Sequence, residues 1–319
     1  MSPHSEGRTM LRRPLGNTGL SVTPLCVGTS PLGSSPGLYG YEVDTQQAIN
    51  TVCRALEGPI NFIDTSNNYG NGESERRIGQ AIDRSGGLPA DFVLATKVDP
   101  LPGSADFSGA RVRASVAESI QRLNQDHLQL VYLHDPERIP FDEAIAPDGA
   151  VEALVKLQHE GVIGFLGVAC GPLDLARQYV DLGVFDVVLS HNRYTLVDAT
   201  AESLIANAAR RGMAFVNAAP YGGGMLVRGP KAEPNYCYQP ASPATRARVA
   251  RMEEVCREAG IPLAAAALQF SIRDSRIAST VVGMSHPERI EQTLRLADWS
   301  IPDDVWSALR SLHAQGPDR

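Results

Sequence analysis

The chain is 319 residues long, 43% hydrophobic and 20% charged, which supplies a large buried core and excludes the composition of a disordered segment. Its formal net charge of -7 works against general binding to phosphate backbones, so a nucleic-acid partner is not expected. The five cysteines (Cys26, Cys53, Cys170, Cys237 and Cys256) form no C-x-x-C pair, which argues against a zinc ribbon or redox dithiol and for reduced thiols.

In chain order, residues 1–14 are polar, with Arg8, Arg12 and Arg13, and no apolar run follows that could serve as a signal-peptide core or membrane span. A cytoplasmic protein with no membrane partner is the expectation. Residues 15–20 (Leu-Gly-Asn-Thr-Gly-Leu) suggest a hairpin turn that could cover one end of the fold. From there, short β-branched runs alternate with longer stretches of helical periodicity. The spacing predicts strands at 24–28, 61–65, 92–98, 128–134, 164–169, 186–190, 214–218 and 279–283. It predicts helices at 44–56, 74–83, 110–123, 149–159, 173–182, 201–211, 244–259 and 287–296, with an extra helix at 263–273. Gly58, Gly161, Gly183, Gly212 and Gly260 stand where helix C-termini prefer glycine.

Eight βα units with no G-x-G-x-x-G turn after the first strand favour an α/β fold of the closed (β/α)8 TIM-barrel type over an open doubly wound sheet. The barrel carries an N-terminal hairpin and extra C-terminal helices. No linker divides the chain, so residues 1–319 read as one domain with a core of about 13–297. In such a barrel the chemistry gathers where the strands end.

The second strand ends Asp64-Thr65-Ser66-Asn67-Asn68-Tyr69-Gly70, the third holds Thr96-Lys97-Val98, and the fourth finishes Leu133-His134-Asp135-Pro136. Taken singly, Asp64 could cap a loop, Tyr69 could sit on the rim, Lys97 could reach solvent and His134 could be a core histidine. Together they are a set. A lysine on an apolar strand needs a counter-charge, which Asp64 supplies. A cation beside a phenol lowers its pKa from about 10 towards neutrality, making Tyr69 an acid and base. His134 could hydrogen-bond a substrate oxygen or share the proton relay. It has no His, Cys or carboxylate at ligand spacing, so no metal is expected.

After the seventh strand, Asn217-Ala218-Ala219 leads into Pro220-Tyr221-Gly222-Gly223-Gly224-Met225-Leu226, a loop whose free N–H groups could approach a pyrophosphate. After the eighth, Gly283-Met284-Ser285-His286-Pro287-Glu288-Arg289 opens a helix whose N-terminus suits a phosphate; an ordinary Ser-x-Pro-Glu helix start explains the same residues.

The string from Phe62-Ile63-Asp64-Thr65 to Tyr69-Gly70, then Ser74 to Gly79, Ala95-Thr96-Lys97 and Leu133-His134 resembles the aldo-keto reductase family in order and spacing. That resemblance implies that Asp64, Tyr69, Lys97 and His134 are its catalytic tetrad, that extended NAD or NADP is the cofactor, and that a hydride passes between nicotinamide C4 and a small carbonyl or alcohol substrate. It also implies cofactor contacts from Ala169, His191, Thr293 and the two loops just named, with Gly283, Ser285 and Arg289 at the adenosine end.

The sequence departs from the family's common pattern in several places. Ala169-Cys170 stands where many relatives have Ser-Asn, His191 where they have Gln, Ala218 where an aromatic ring stacks on nicotinamide, and Thr293 where an Asn meets adenine. These departures, with Arg193-Tyr194-Thr195-Leu196 and the run 262–270, resemble the bacterial D-threo-aldose 1-dehydrogenase branch, which includes pyridoxal 4-dehydrogenase. That implies oxidation of a sugar hemiacetal or similar small polar alcohol. The stretch Gly283-Met284-Ser285-His286 lacks the Lys or Arg that many NADP-using relatives place there and leaves only Arg289 for a 2′-phosphate, so NAD is expected to be accepted at least as well as NADP. General aldehyde reduction and a cofactor-sensing regulatory subunit stay open, as does the oligomeric state.

Overall fold

All eight apolar runs become strands of one parallel, closed sheet: β1 (Leu25–Gly28), β2 (Phe62–Asp64), β3 (Val93–Val98), β4 (Leu128–His134), β5 (Ile163–Ala169), β6 (Val187–His191), β7 (Ala214–Ala218) and β8 (Ile277–Gly283). Neighbours pair in chain order, and β8 closes the barrel on β1 with Gly283 opposite Gly28. The structure, a computed structural model, describes residues 10–313. Residues 1–9, with Arg8 among them, lie outside the described residues.

Strand alternation divides the apolar side chains between two environments. Phe62, Val93, Ala95, Leu130, Tyr132, Val187, Leu189, Ala214 and Val216 fill the barrel interior. The residues between them, such as Ile63, Leu94, Val131, Val188 and Phe215, pack outwards against the helices. Tyr132 fits inside only because β5 offers Gly167 beside it, where a Cβ would lie 2.2 Å from the ring.

The outer ring consists of α1 (Thr45–Leu56), α2 (Glu73–Arg84), α3 (Gly109–Leu123), α4 (Ala150–His159), α5 (Leu173–Asp181), α6 (Glu202–Arg210), α7 (Pro243–Glu258), α8 (Leu263–Ile272) and α9 (Pro287–Ala297). Asp44, Ser108 and Ser242 cap three of these by accepting backbone N–H groups. Gly161, Gly183, Gly212 and Gly260 take the left-handed conformation expected at helix ends, whereas Gly58 does not. The predicted hairpin forms between Arg13–Pro14 and Ser21–Val22, and its Leu15 and Val22 close the barrel's N-terminal end.

The chain does not stop packing near residue 297. A further helix, α10 (Asp303–His313), lays Val305, Trp306, Leu309 and Leu312 on Val249, Met252 and Cys256 of α7 and on α8, forming a second core outside the barrel. Among the described residues no helix is long and apolar enough to cross a membrane, and all five cysteines are free thiols.

Candidate active site

Inward-facing ends of β2, β3 and β4 bring the predicted polar residues to one mouth. Lys97 is 2% exposed and surrounded by apolar strand, so its ammonium needs partners. It finds three: Asp64 Oδ1 at 2.5 Å, the Thr65 carbonyl at 2.6 Å and Tyr69 Oη at 3.2 Å. Tyr69 reaches this point from the loop after β2, which is pressed against the short 3-10 turn Ser30–Gly33. The approach is so close that a Cβ on Gly70 would sit 2.0 Å from the Gly33 carbonyl oxygen, at a φ of +61°.

His134 stands edge-on to the Tyr69 ring, with centroids 5.8 Å apart. Its Nδ1 lies 2.8 Å from Asp99 Oδ1, and Nε2 lies 3.6 Å from Asp135 Oδ1. The expectation that no carboxylate accompanies His134 is therefore corrected. The two carboxylates touch opposite ring nitrogens and do not converge; among the described residues no group of three or more His, Cys, Asp or Glu side chains is placed to hold a metal.

A second correction concerns Tyr69. Burial raises its pKa, and this outweighs the opposing Lys97 ammonium while the Asp64 carboxylate adds to the rise, so the phenol is held above its ordinary value rather than near neutrality. Burial also opposes the charge on Lys97, but Asp64 and Tyr69 reverse the sign and keep it protonated. The resting set is a neutral phenol accepting a hydrogen bond from an ammonium.

The other half of the mouth is small and neutral. Alternation turns Ala169 of β5, His191 of β6, Ala218 of β7 and Gly283 of β8 to the same side, and three of these carry at most a methyl group. Burial lowers the pKa of His191, favouring its neutral ring. Asn192 Oδ1 and the Tyr221 hydroxyl are buried without a partner among the described residues.

The glycine loop differs from expectation. Gly222–Gly224 forms a 3-10 turn in which the N–H groups of Gly222, Gly224 and Leu226 donate to the carbonyls of Ala219, Tyr221 and Tyr221, so these three are already engaged. Gly222 is glycine because a short hairpin, Asn235–Tyr236 with Gln239–Pro240, lies over it and puts the Tyr236 ring 2.2 Å from where a Cβ would be. Pro220 is buried, and Met225 and Leu226 point into the second core, which leaves them backbone contacts alone to offer a ligand.

After β8, the residue that caps α9 is His286, whose side chain makes no capping bond; Ser285 Oγ instead meets the His286 ring at 2.9 Å. The capping explanation of this segment thus fails: in the first turn of α9, Pro287 has no N–H and Arg289 N–H donates to the His286 carbonyl at 3.0 Å, which leaves the Glu288 N–H without a side-chain cap. Half-buried Arg289 reaches Gln292 Oε1 at 3.2 Å, and Thr293 turns its hydroxyl back to the Arg289 carbonyl at 2.7 Å. Asp99 and Ser66 were not anticipated; the signal was there, since Asp99 follows Lys97 by two residues and so shares its strand face.

A parallel eight-stranded barrel with an acid–base set at the C-terminal ends of its strands defines the class of (β/α)8 enzymes. Residues 24–314 match the description "Aldo/keto reductase family", and the chain belongs to that family of oxidoreductases. It is 33% identical to L-galactose dehydrogenase of Arabidopsis thaliana, over 88% of this chain and 86% of that protein. It is 32% identical to D-threo-aldose 1-dehydrogenase of a Pseudomonas species, over 91% and 94%. Among solved structures, an aldo-keto reductase from Bacillus halodurans in its holo form shares the fold, with a TM-score of 0.75 at 24% identity, covering 95% of this chain and 96% of that one.

Proposed function

We propose that this protein oxidises the C1 hydroxyl of an aldose, or a similar small polar alcohol, and runs the reverse reduction, with NAD or NADP as hydride partner. The observation that carries this reading is the buried contact of Lys97 with Asp64 and Tyr69. The names of both curated relatives agree with it.

The residues at the mouth fit a dinucleotide. Ala169, Ala218 and Gly283, which carry at most a methyl group, suit a flat ring, and Asn192 Oδ1, beside His191 at the end of β6, is a buried oxygen with no partner among the described residues. The start of α9, where the Glu288 N–H has no side-chain cap, suits the phosphate of the adenosine end together with Ser285 and Arg289. Bound there, the nicotinamide would supply its C4 as the site of hydride exchange.

The chain's own residues handle the proton. In the oxidative direction Tyr69, as phenolate, accepts the proton of the substrate hydroxyl; Lys97 holds the phenolate by its charge, and Asp64 holds Lys97. His134 donates from Nε2 to the substrate oxygen and fixes its position. In the reductive direction the neutral phenol gives its proton to the carbonyl oxygen. The raised Tyr69 pKa favours this second direction at neutral pH, which keeps general aldehyde reduction as a specific alternative. A panel of aldoses and small aldehydes, followed by absorbance of the reduced nicotinamide with NAD and NADP in turn, tests the reading. Turnover of at least one aldose is expected; aldehydes alone as substrates would favour the alternative, and none at all would overturn both.

A further inference from the structure

Asp99 has no part in the proton transfer just described, yet its carboxylate is completely enclosed and fully engaged. One oxygen lies 2.8 Å from His134 Nδ1. The other accepts the Ser66 hydroxyl and, at 3.3 Å, the Asn68 N–H. The Asp99 backbone is fixed as firmly: its N–H donates to Ser115 Oγ at 3.1 Å, and its carbonyl accepts from Arg111 Nε at 3.0 Å.

An ionised carboxylate only accepts hydrogen bonds, so a ring nitrogen bonded to it must carry the proton. Burial disfavours the Asp99 charge, but His134 and Ser66 overcome it and hold the carboxyl below its ordinary pKa. Nδ1 of His134 is therefore the protonated nitrogen. Nε2, on the opposite edge of the ring, lies towards the half-buried Asp135 at the rim.

We propose that Asp99 is a positioning residue that acts through His134: it fixes the proton on Nδ1, turns Nε2 to the substrate oxygen, and supplies the negative charge that lets the ring carry a second proton there. This rests on the hydride-transfer reading for its meaning, but not for its geometry. The logic is that of a carboxylate that orients a catalytic histidine and stabilises its cation.

The groups facing His134 from each neighbouring element bear this out. Asp99 after β3 and Asp135 after β4 favour the cation, Lys97 of β3 opposes it, His191 of β6 is held towards its neutral form by burial, and the neutral Tyr69 ring stands edge-on. Burial alone would keep the ring neutral, and the two carboxylates reverse this, raising the His134 pKa above its ordinary value.

Nitrogen NMR of protein labelled at histidine tests the assignment in the resting enzyme, with no cofactor or substrate, using the spectrum of His134→Gln to identify the signal. The wild type is expected to show a protonated Nδ1 at all pH values and a titration midpoint above that of the exposed histidines. Asp99→Asn keeps the shape and an acceptor but removes the charge. It is expected to lower the midpoint by about one pH unit or more and kcat by roughly tenfold or more, with KM for cofactor within about threefold. An unchanged midpoint in folded Asp99→Asn would overturn the proposal. Should that variant fail to fold, a bare Nδ1 in the neutral wild-type ring would do so equally. Because the spectrum needs no turnover, inactivity on every aldose would overturn the proposed function and leave this assignment standing.

Discussion

At the scale of single residues, the site is a contest between burial and charge, and burial wins at Tyr69. The phenol sits 3.2 Å from an ammonium, which favours its ionised form, yet removing it from water costs more. The sequence shows the ammonium and not the depth of burial, so sequence alone points to a lowered pKa where the structure raises it. The sign has a consequence for direction of turnover. A raised pKa keeps the proton on Tyr69 through neutral pH, which serves reduction, whereas oxidation needs the phenolate. The ratio of initial-rate kcat/KM for oxidation to that for reduction should therefore climb between about pH 7 and 9, approaching tenfold per unit, since any change at His134 affects both directions alike. A ratio that is flat there would place the proton on some other group.

At the scale of elements, strand and helix positions were legible because period-2 and period-3.6 patterns alternate along the chain, and most boundaries fall within two residues of the spacing. What the pattern hid was pairing between distant loops. Gly222 reads as a phosphate cradle until the hairpin over it is seen, and nothing in local sequence announces that Tyr236 packs there. For Asp99 the strand face was legible, two residues after Lys97, but its pairing with His134 of the next strand was not. The grouping of Asp64, Tyr69, Lys97 and His134 was legible since each lies at or just beyond the C-terminal end of a strand.

Loop apposition also sets the sharpest prediction at this scale. Gly70→Ala would force its Cβ against the Gly33 backbone and move Tyr69 with it. Turnover should fall by about tenfold to a hundredfold, as displacements near 1 Å do to reacting groups. The control is Gly19→Ala, also at positive φ but with nothing within 4 Å, which should cost only about 1 kcal/mol of stability and leave kcat unchanged. Equal kcat in Gly70→Ala and wild type would show that the Gly33 contact does not place Tyr69.

At the scale of the whole molecule, the barrel divides one rim in two: β2 to β4 carry the charged residues Asp64, Lys97 and His134, and β5 to β8 end in the small or neutral residues Ala169, His191, Ala218 and Gly283. Under the proposed function, choice between NAD and NADP falls to the segment between β8 and α9. Discrimination for the 2′-phosphate needs cations aimed at it, and the segment Gly283 to His286 has none. Arg289 is the half-buried cation on the first turn of α9, and its side chain already leans on Gln292. NAD should thus be used at least as well as NADP, and Arg289→Ala should remove residual NADP use. A wild-type preference for NADP above about tenfold, roughly 1.4 kcal/mol, would contradict this.

The most direct test of hydride transfer with Tyr69 as proton carrier follows the hydrogen itself. An aldose deuterated at C1 is incubated with oxidised cofactor and either wild-type protein or Tyr69→Phe, and the recovered reduced nicotinamide is weighed by mass spectrometry. Wild type should place the deuterium on nicotinamide C4, and folded Tyr69→Phe should do so at least about a hundredfold more slowly while binding cofactor within severalfold as tightly. Label arriving at the wild-type rate in Tyr69→Phe, or reduced cofactor formed without label, would contradict it.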